Sequence, residues 1–228
     1  MIRIYFGHDD REFVGTSTFV ASVLATSTQP VSLTPLHKPV LERAFGKKFA
    51  EGSNAFTMSR FLVPALNDFV GTAIFVDGAD MICRADISNI LRDADPFLPV
   101  SVVKHQYTTR HSRKYRGTAM EADNHDYKRK QWASVMVMHC WHHAWRRLSP
   151  DRVAEMPLID LLQFKFLQDE QIGELPAHWN WLADEHGYNP LAQIVHYTAG
   201  VPGFPQHADC AHADEWRAML RLANHATN

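Results

Sequence analysis

The sequence predicts an α/β fold with a mixed, mostly parallel central sheet flanked by helices. Three observations point there. First, Ile2 to Phe6 is an alternating β-rich run, Arg11 to Thr26 carries helix-like apolar spacing at Val14, Ala21, Leu24 and Ala25, and Val31 to Leu36 is a second β-rich run. Strand, helix and strand in that length make a βαβ unit, which pairs its strands in parallel. Second, Ala73-Ile74-Phe75-Val76 reads as a buried strand that breaks into Asp77-Gly78-Ala79-Asp80. Third, Val100 to Val103 is another strand, ending in Lys104 and His105. Open α/β sheets place ligands at the carboxyl ends of their strands, so polar residues at these ends are candidate site residues.

Taken in order, Gly7 permits a sharp exit from the first strand, and Gly7-His8-Asp9-Asp10-Arg11 falls at the ligand edge. The loop is not a G-x-G-x-x-G fingerprint, so a dinucleotide site is not supported. His37 to Gly52 is polar, broken by Pro39 and Gly46, and reads as a mobile loop. Ser53 or Asn54 can cap a helix carrying Met58, Phe61, Leu62, Ala65 and Phe69 on one face, with Arg60 in its first two turns as a solvated or a functional arginine. Asp77 and Asp80 read either as turn residues or as ligands of a hard divalent metal, because two acids there repel unless a cation or a shared proton relieves them. Ile87 to Leu91 is a short amphipathic piece.

Gln106 to Gln131 is polar and basic, with Arg110, Arg113, Lys114, Arg116, Lys128, Arg129 and Lys130. It reads as a solvated loop or as a lid over a phosphate-bearing substrate. Trp132 to Met138 returns to strand-like text; His139-Cys140-Trp141-His142-His143 lacks the second ligand pair of a zinc site. Leu158 to Phe166 is apolar and leads to Asp169 and Glu170, which read equally as helix-start carboxylates. Trp179-Asn180-Trp181 clusters aromatics that serve as core or as a platform for a sugar ring. Ile194 to Thr198 is a short strand containing His196, and Asp214 to Leu222 reads as a closing amphipathic helix.

At 228 residues the chain suits one large domain or two small ones; without a repeat or a clean linker, one domain over residues 1–228 is expected. A formal net charge of −2 lacks the basic surplus that nucleic acid or an anionic membrane surface usually demands. No apolar stretch spans a bilayer, the start is too short for a signal sequence, and Cys83, Cys140 and Cys210 are odd in number and far apart. A reducing, cytoplasmic setting is expected.

Segments along nearly the whole chain resemble, in order and spacing, the GT-A-fold glycosyltransferases of family 8, the glycogenin and lipopolysaccharide galactosyltransferase group, and most closely a bacterial subset of that pattern. They are Gly7 to Glu12, Ser59 to Pro64, Phe75 to Met81, Val102 to His105, Arg129 to Met136, Asp169 to Pro176 with Trp179-Asn180, and His196 to Gly200. The resemblance implies Mn²⁺ or Mg²⁺ held by Asp77, Asp80 and His196 against the diphosphate of a nucleotide sugar, with a UDP-sugar expected as donor. It further implies Gly7, His8 and Asp9 facing the nucleotide, with Arg60 and Lys104 on phosphate or donor sugar. Trp132, Ser134, Trp179, Asn180 and Gly200 are implied in the substrate pocket, and Asp169 and Glu170 in sugar or acceptor contact.

The implied reaction moves a sugar, with retention at the anomeric carbon, to a glycan, lipid-linked or protein acceptor. Two departures stand out. The usual motif has one residue between its acids, where this chain has Gly78-Ala79, and the turn Gly200-Val201-Pro202-Gly203-Phe204 lacks a lysine that commonly follows the glycine. A non-catalytic nucleotide-sugar-binding scaffold is therefore a second reading, and a phosphohydrolase with Asp77 as nucleophile a third.

Overall fold

β1 (Ile2–His8) is the strand beside which the main sheet is laid out in the computed structural model, which describes residues 1–224. A 3₁₀ turn, Asp10–Glu12, leads into α1 (Phe13–Thr26), and β2 (Val31–His37) returns parallel to β1 with Ile2 opposite Val31 and His8 opposite His37. The expected βαβ unit is present. The expected loop after it is not: Lys38–Phe45 forms α2, with Pro39 in its first turn and Gly46 closing it at φ +63°. Proline is tolerated in a helix's first turn, where its missing N–H has no partner to lose, and glycine accepts the left-handed cap.

The helix expected after Ser53 is also broken. Its span holds a 3₁₀ turn, Ser59–Leu62, and the single turn α3 (Val63–Leu66), because Pro64 cannot donate to the carbonyl four residues before it. Asn54 does not cap it; its side chain donates instead to Glu12. β3 (Thr72–Val76) pairs parallel with β1, and β4 (Met81–Cys83) leaves for a second sheet. α4 (Ile90–Asp93) precedes β5 (Val100–Val102), and the basic stretch that follows holds only the small hairpin β6 (Arg113–Lys114) and β7 (Ala122–Asp123).

Trp132–Ser134 is a 3₁₀ turn, so β8 begins only at Val135 (Val135–His139). α5 (Pro150–Glu155), α6 (Leu158–Leu162) and β9 (Ile172–Glu174) follow, then β10 (Trp181–Leu182), α7 (Ala183–His186), β11 (Ile194–His196) and α8 (Ala213–Asn224). The main sheet runs β2-β1-β3-β8-β5-β9, with β8 antiparallel to both neighbours and the other pairs parallel. The small sheet runs β10-β11-β4. No helix among the described residues is long and apolar enough to cross a membrane.

Alternation along the strands divides the core. Tyr5 and Phe75 join Phe61, Trp145 and Phe164 on one face of the main sheet, while Ile4, Phe6, Ile74 and Val76 join Phe19 and Trp179 on the other. Each such side chain, fully buried, contributes roughly 1.5–3 kcal/mol.

α1 turns a different face inward from the one its apolar spacing suggested. Val14 and Leu24 are exposed, whereas Gly15, Thr18, Phe19, Ser22 and Val23 are buried. The hydroxyls survive burial because Thr18 donates to Val14 O and Ser22 to Phe19 O, and Ser22 Oγ also accepts the N–H of Cys83 at 2.9 Å. Small residues are needed on this face because α1 lies against β4 and the acid loop before it.

Candidate functional site

The loop Asp77-Gly78-Ala79-Asp80 joins the end of β3 to the start of β4, and two backbone turns fold it. Ala79 N donates to Asp77 O at 3.0 Å and Met81 N to Gly78 O at 2.9 Å. Gly78 adopts φ +79°, and a Cβ there would lie 2.9 Å from Phe6 Cβ. The carbonyl of Ala79 presses so closely on Gly15 of α1 that any Cβ at residue 15 would collide with it. The additional residue is thereby absorbed, and both carboxylates face one point. Asp77, Asp80 and His196 each offer a ligand atom within 4.8 Å of the others, and all three are buried.

Backbone pairing fixes this meeting. β11 runs antiparallel to β4 with His196 opposite Met81, and Tyr197 N donates to Asp80 O at 2.8 Å. Asp77 N donates to Ser134 O at 2.9 Å, which ties the end of β3 to the turn before β8. Asn180 Nδ2 donates to Ser134 Oγ (2.8 Å) and Gln131 O (3.3 Å), so its Oδ1 accepts from His196 Nδ1 at 3.0 Å. The bond at Nδ1 fixes the ring so that Nε2 faces Asp80 Oδ2, 3.2 Å away, and when protonated donates to it. A carboxylate or carbonyl behind an imidazole is how ligating histidines are held in place.

The electrostatics are those of acids short of partners. Asp77 Oδ1, Asp80 Oδ1 and, behind the loop, Glu12 Oε1 are buried without hydrogen bonds. Arg60 Nη1 lies 2.9 Å from Asp77 Oδ1, an ion pair that does not aim a hydrogen bond at that oxygen. Burial pushes the Asp77 carboxyl up to about 6 despite Arg60, with Asp80 adding to the rise. For Asp80 burial acts the same way, yet the charge and hydrogen bond of His196 hold it below the usual range. Burial pushes Glu12 up to about 8, reinforced by Asp80 and, more weakly, by Asp9 and Asp77. Buried oxygens without hydrogen bonds are costly, and a divalent cation would satisfy them; the donor set of two carboxylates and one imidazole fits Mn²⁺ or Mg²⁺.

A cavity of about 270 Å³ opens over the trio, with Arg60, Lys114, Tyr115, Asn124, Tyr127 and Lys130 in its walls. Arg60 is buried, not solvated, and is fixed by Thr57 O (2.8 Å) and Ala133 O (2.7 Å). Burial lowers the Lys114 ammonium, against the pull of Asp80 and Asp77. A neighbouring cavity of about 380 Å³ shares Tyr127 and Lys130 and contains Lys104, Trp132, Arg129 and Asp169. Lys104 and Arg129 lie over the Trp132 ring at 5.7 and 5.4 Å, and Arg129 pairs with Asp169.

Other expected residues are placed differently. Asp9 accepts from Arg11 N, Nε and Nη2 and from Ala55 N, which spends its oxygens on the loop itself. Burial opposes its charge, but these bonds hold its carboxyl down to about 2. The space beside Gly7 is filled by the ring of Phe56, and His8 bonds Thr16; among the described residues Gly7, His8 and Asp9 do not line the cavity over Asp77 and Asp80. Ser134 is buried and acts on Asp77 and Asn180. Trp179 is core, its indole N–H donating to Asp93 at 2.6 Å, so it offers no sugar platform. Gly200 packs on the His207 ring, and Glu170 lies outside both cavities.

Glu12, Asn54 and Tyr115 carry no site role in the sequence reading, and Lys114 and Lys130 only that of the basic lid. Only the lysines had a signal, their place in the basic stretch. In the sequence Glu12 has no role beyond closing the Gly7 to Glu12 segment, and the fold buries it.

No known family model matches the chain. A curated relative, Protein CDI of Arabidopsis thaliana, is 33% identical over 225 residues, covering 94% of this chain and 84% of its own. Among solved structures, the galactosyltransferase LgtC in complex with donor and acceptor sugar analogs superposes with a TM-score of 0.62 at 16% identity, over 100% of this chain and 97% of LgtC. The apo bifunctional glycosyltransferase WbbM gives 0.64 at 12% identity over 96% of this chain, which spans about half (49%) of that protein. GlyE of Streptococcus pneumoniae TIGR4 gives 0.56 at 13% identity, over 98% of this chain and 62% of GlyE. The fold is that of the GT-A-type glycosyltransferases.

Proposed function

We propose that this chain, which belongs to the family of Protein CDI of Arabidopsis thaliana, transfers a glycosyl group from a nucleoside diphosphate sugar with the help of a divalent metal. One observation carries the reading: buried oxygens of Asp77 and Asp80 that accept no hydrogen bond meet His196 on the floor of a cavity walled by Arg60, Lys114 and Lys130. LgtC, solved with donor and acceptor sugar analogs, has the same fold, which supports it.

Asp77, Asp80 and His196 would hold Mn²⁺ or Mg²⁺, which when bound supplies positive charge against a departing diphosphate. Lys114 and Lys130 supply further positive charge from the lid side of the cavity, and Arg60 holds Asp77 in its ionised form. In the adjoining cavity, the Trp132 indole with Lys104 and Arg129 over its ring, together with Asp169, offers contacts for an acceptor sugar and its hydroxyls. Among the described residues, the carboxylates lining the metal-side cavity are Asp77, Asp80 and Asp123. The first two would hold the metal and so leave no free carboxylate of that pair for the sugar, which favours retention by front-side attack, with the leaving phosphate taking the acceptor's proton. A UDP-sugar donor and a glycan, lipid-linked or protein acceptor complete the proposal. A reducing compartment suits its three free cysteines.

Melting the protein with nucleoside diphosphates, with and without Mn²⁺, tests the reading. A ligand at a hundred times its Kd stabilises by about 2.7 kcal/mol, or about 5–10 °C for a chain of this size. Mn²⁺ with UDP is expected to give such a shift and Asp80→Asn to abolish it. No shift with any nucleoside diphosphate, with or without Mn²⁺, refutes it.

A further inference from the structure

Three ligand-type side chains converge at the ends of β1 and β2, in a set separate from Asp77, Asp80 and His196. His8 and His37 are register partners on these parallel strands with ring centroids 5.3 Å apart, and Asp10 opens the turn that follows β1. Asp10 Oδ1 lies 3.3 Å from His8 Nε2 and 3.4 Å from His37 Nε2, and the three residues form a set whose ligand atoms lie within 4.8 Å of one another.

These separations are long for charge-assisted hydrogen bonds, which run at about 2.7–2.9 Å. They match the edge of a metal tetrahedron: with metal–nitrogen and metal–oxygen bonds of about 2.0–2.1 Å, neighbouring ligand atoms lie about 3.3 Å apart. His8 has the supporting bond that a ligating histidine uses, its Nδ1 hydrogen-bonded to Thr16 Oγ1 at 3.1 Å. In the tautomer that donates Nδ1–H to that hydroxyl, the Nε2 lone pair faces Asp10 and His37. The Asp10 side chain is 76% exposed and that of His37 30%, so an ion and a fourth ligand such as water can enter from solvent.

We propose that His8, Asp10 and His37 form a second metal site, for an ion of the Zn²⁺ class. Two imidazoles and one carboxylate select Zn²⁺ or Co²⁺, whereas the carboxylate-rich centre at Asp77 and Asp80 suits Mn²⁺ or Mg²⁺. The two sites are therefore separable by metal, and the second site stands whether or not the first serves glycosyl transfer.

Co²⁺ titrated into the metal-free, full-length protein under excess Mg²⁺, followed by visible absorption and then by displacement with Zn²⁺, tests this. One equivalent of Co²⁺ is expected to give four-coordinate absorption that Zn²⁺ removes. The signal is expected to disappear in His37→Ala, weaken in Asp10→Asn and remain in Asp80→Asn. Thr16→Val, which removes the bond to His8, is expected to weaken Zn²⁺ binding about 10- to 100-fold. No signal in the wild type, a signal unchanged in His37→Ala and Asp10→Asn, or one lost in Asp80→Asn alone overturns the proposal. Melting curves in metal-free buffer accompany each variant, and Asp10→Asn, at an exposed position, decides the matter if His37→Ala does not fold.

Discussion

Glu12→Gln is expected to remove a loss of stability that the wild-type protein shows between about pH 6 and pH 8. Glu12 lies behind the acid loop with Oε2 accepting from Asn54 Nδ2 and Oε1 unpartnered. Burial first, then the charge of Asp80, raise its carboxyl from 4.5 to about 8. An acid whose folded value lies above its unfolded value binds its proton more tightly in the folded state. Its contribution to stability is therefore complete below about pH 4.5 and is lost as pH rises toward 8. At about 1.36 kcal/mol per unit, the whole interval amounts to at most roughly 5 kcal/mol. Asp77 is raised in the same sense, but only from 3.8 to about 6, so both proteins lose stability up to that pH. The wild type falls faster than the variant from about pH 4.5 upward, and above about pH 6 it alone keeps falling. The wild type is expected to lose up to roughly 3 kcal/mol more by pH 8, while the glutamine variant, whose amide does not titrate, stays level. Urea unfolding in metal-free buffer at about pH 5, 6 and 8 measures this. Parallel pH profiles for the two proteins would refute the assignment of Glu12 as a buried, protonated acid.

Three further outcomes follow from the same geometry. Asn180→Ala, which frees His196 Nδ1, is expected to weaken Mn²⁺ binding about 10- to 100-fold, read by titration calorimetry; unchanged affinity would show that the amide does not position the imidazole. Lys114→Met is expected to split two affinities. UDP binding in the presence of Mn²⁺ weakens by about 10- to 100-fold, the equivalent of one lost hydrogen bond to a charged group, while Mn²⁺ alone binds more tightly once a neighbouring positive charge is gone. Gly78→Ala forces a Cβ toward Phe6 at a φ of +79° and is expected to cost about 1–3 kcal/mol, seen as a lower urea midpoint at an unchanged slope.

The strands were legible because each is a dense apolar run whose carboxyl end turns polar at once, as in Ala73 to Asp77 and Val100 to Lys104. Helix faces were less so. In α1 the buried stripe is made of Gly15, Thr18 and Ser22, which hydropathy does not mark, because backbone carbonyls satisfy the hydroxyls and the neighbouring loop leaves no room for larger residues. The meeting of Asp77, Asp80 and His196 was legible from motif order, and the departure in acid spacing is resolved by Gly78. What sequence could not distinguish is a residue that touches substrate from one that holds another residue in place. Ser134, Asn180 and Asp9 look like pocket residues in a string of letters, yet their polar atoms are spent on protein partners. Nor does sequence show that Lys114, 33 positions past Met81, reaches the same cavity as Asp80.

The seating of the Ala79 carbonyl against Gly15 bears on how this chain can be re-engineered. Shortening the acid loop by one residue, to regain the one-residue spacing of the family it resembles, would not merely tidy the motif. Side chains alternate sides along a strand, so drawing β4 back by one position would exchange its inward and outward residues and carry Met81 away from its place opposite His196. It would also open a void where the carbonyl meets the helix. Loop length and the absence of a side chain at position 15 thus behave as one heritable unit, to be grafted or altered together. A larger residue at 15 becomes tolerable only in a protein whose loop is also rebuilt.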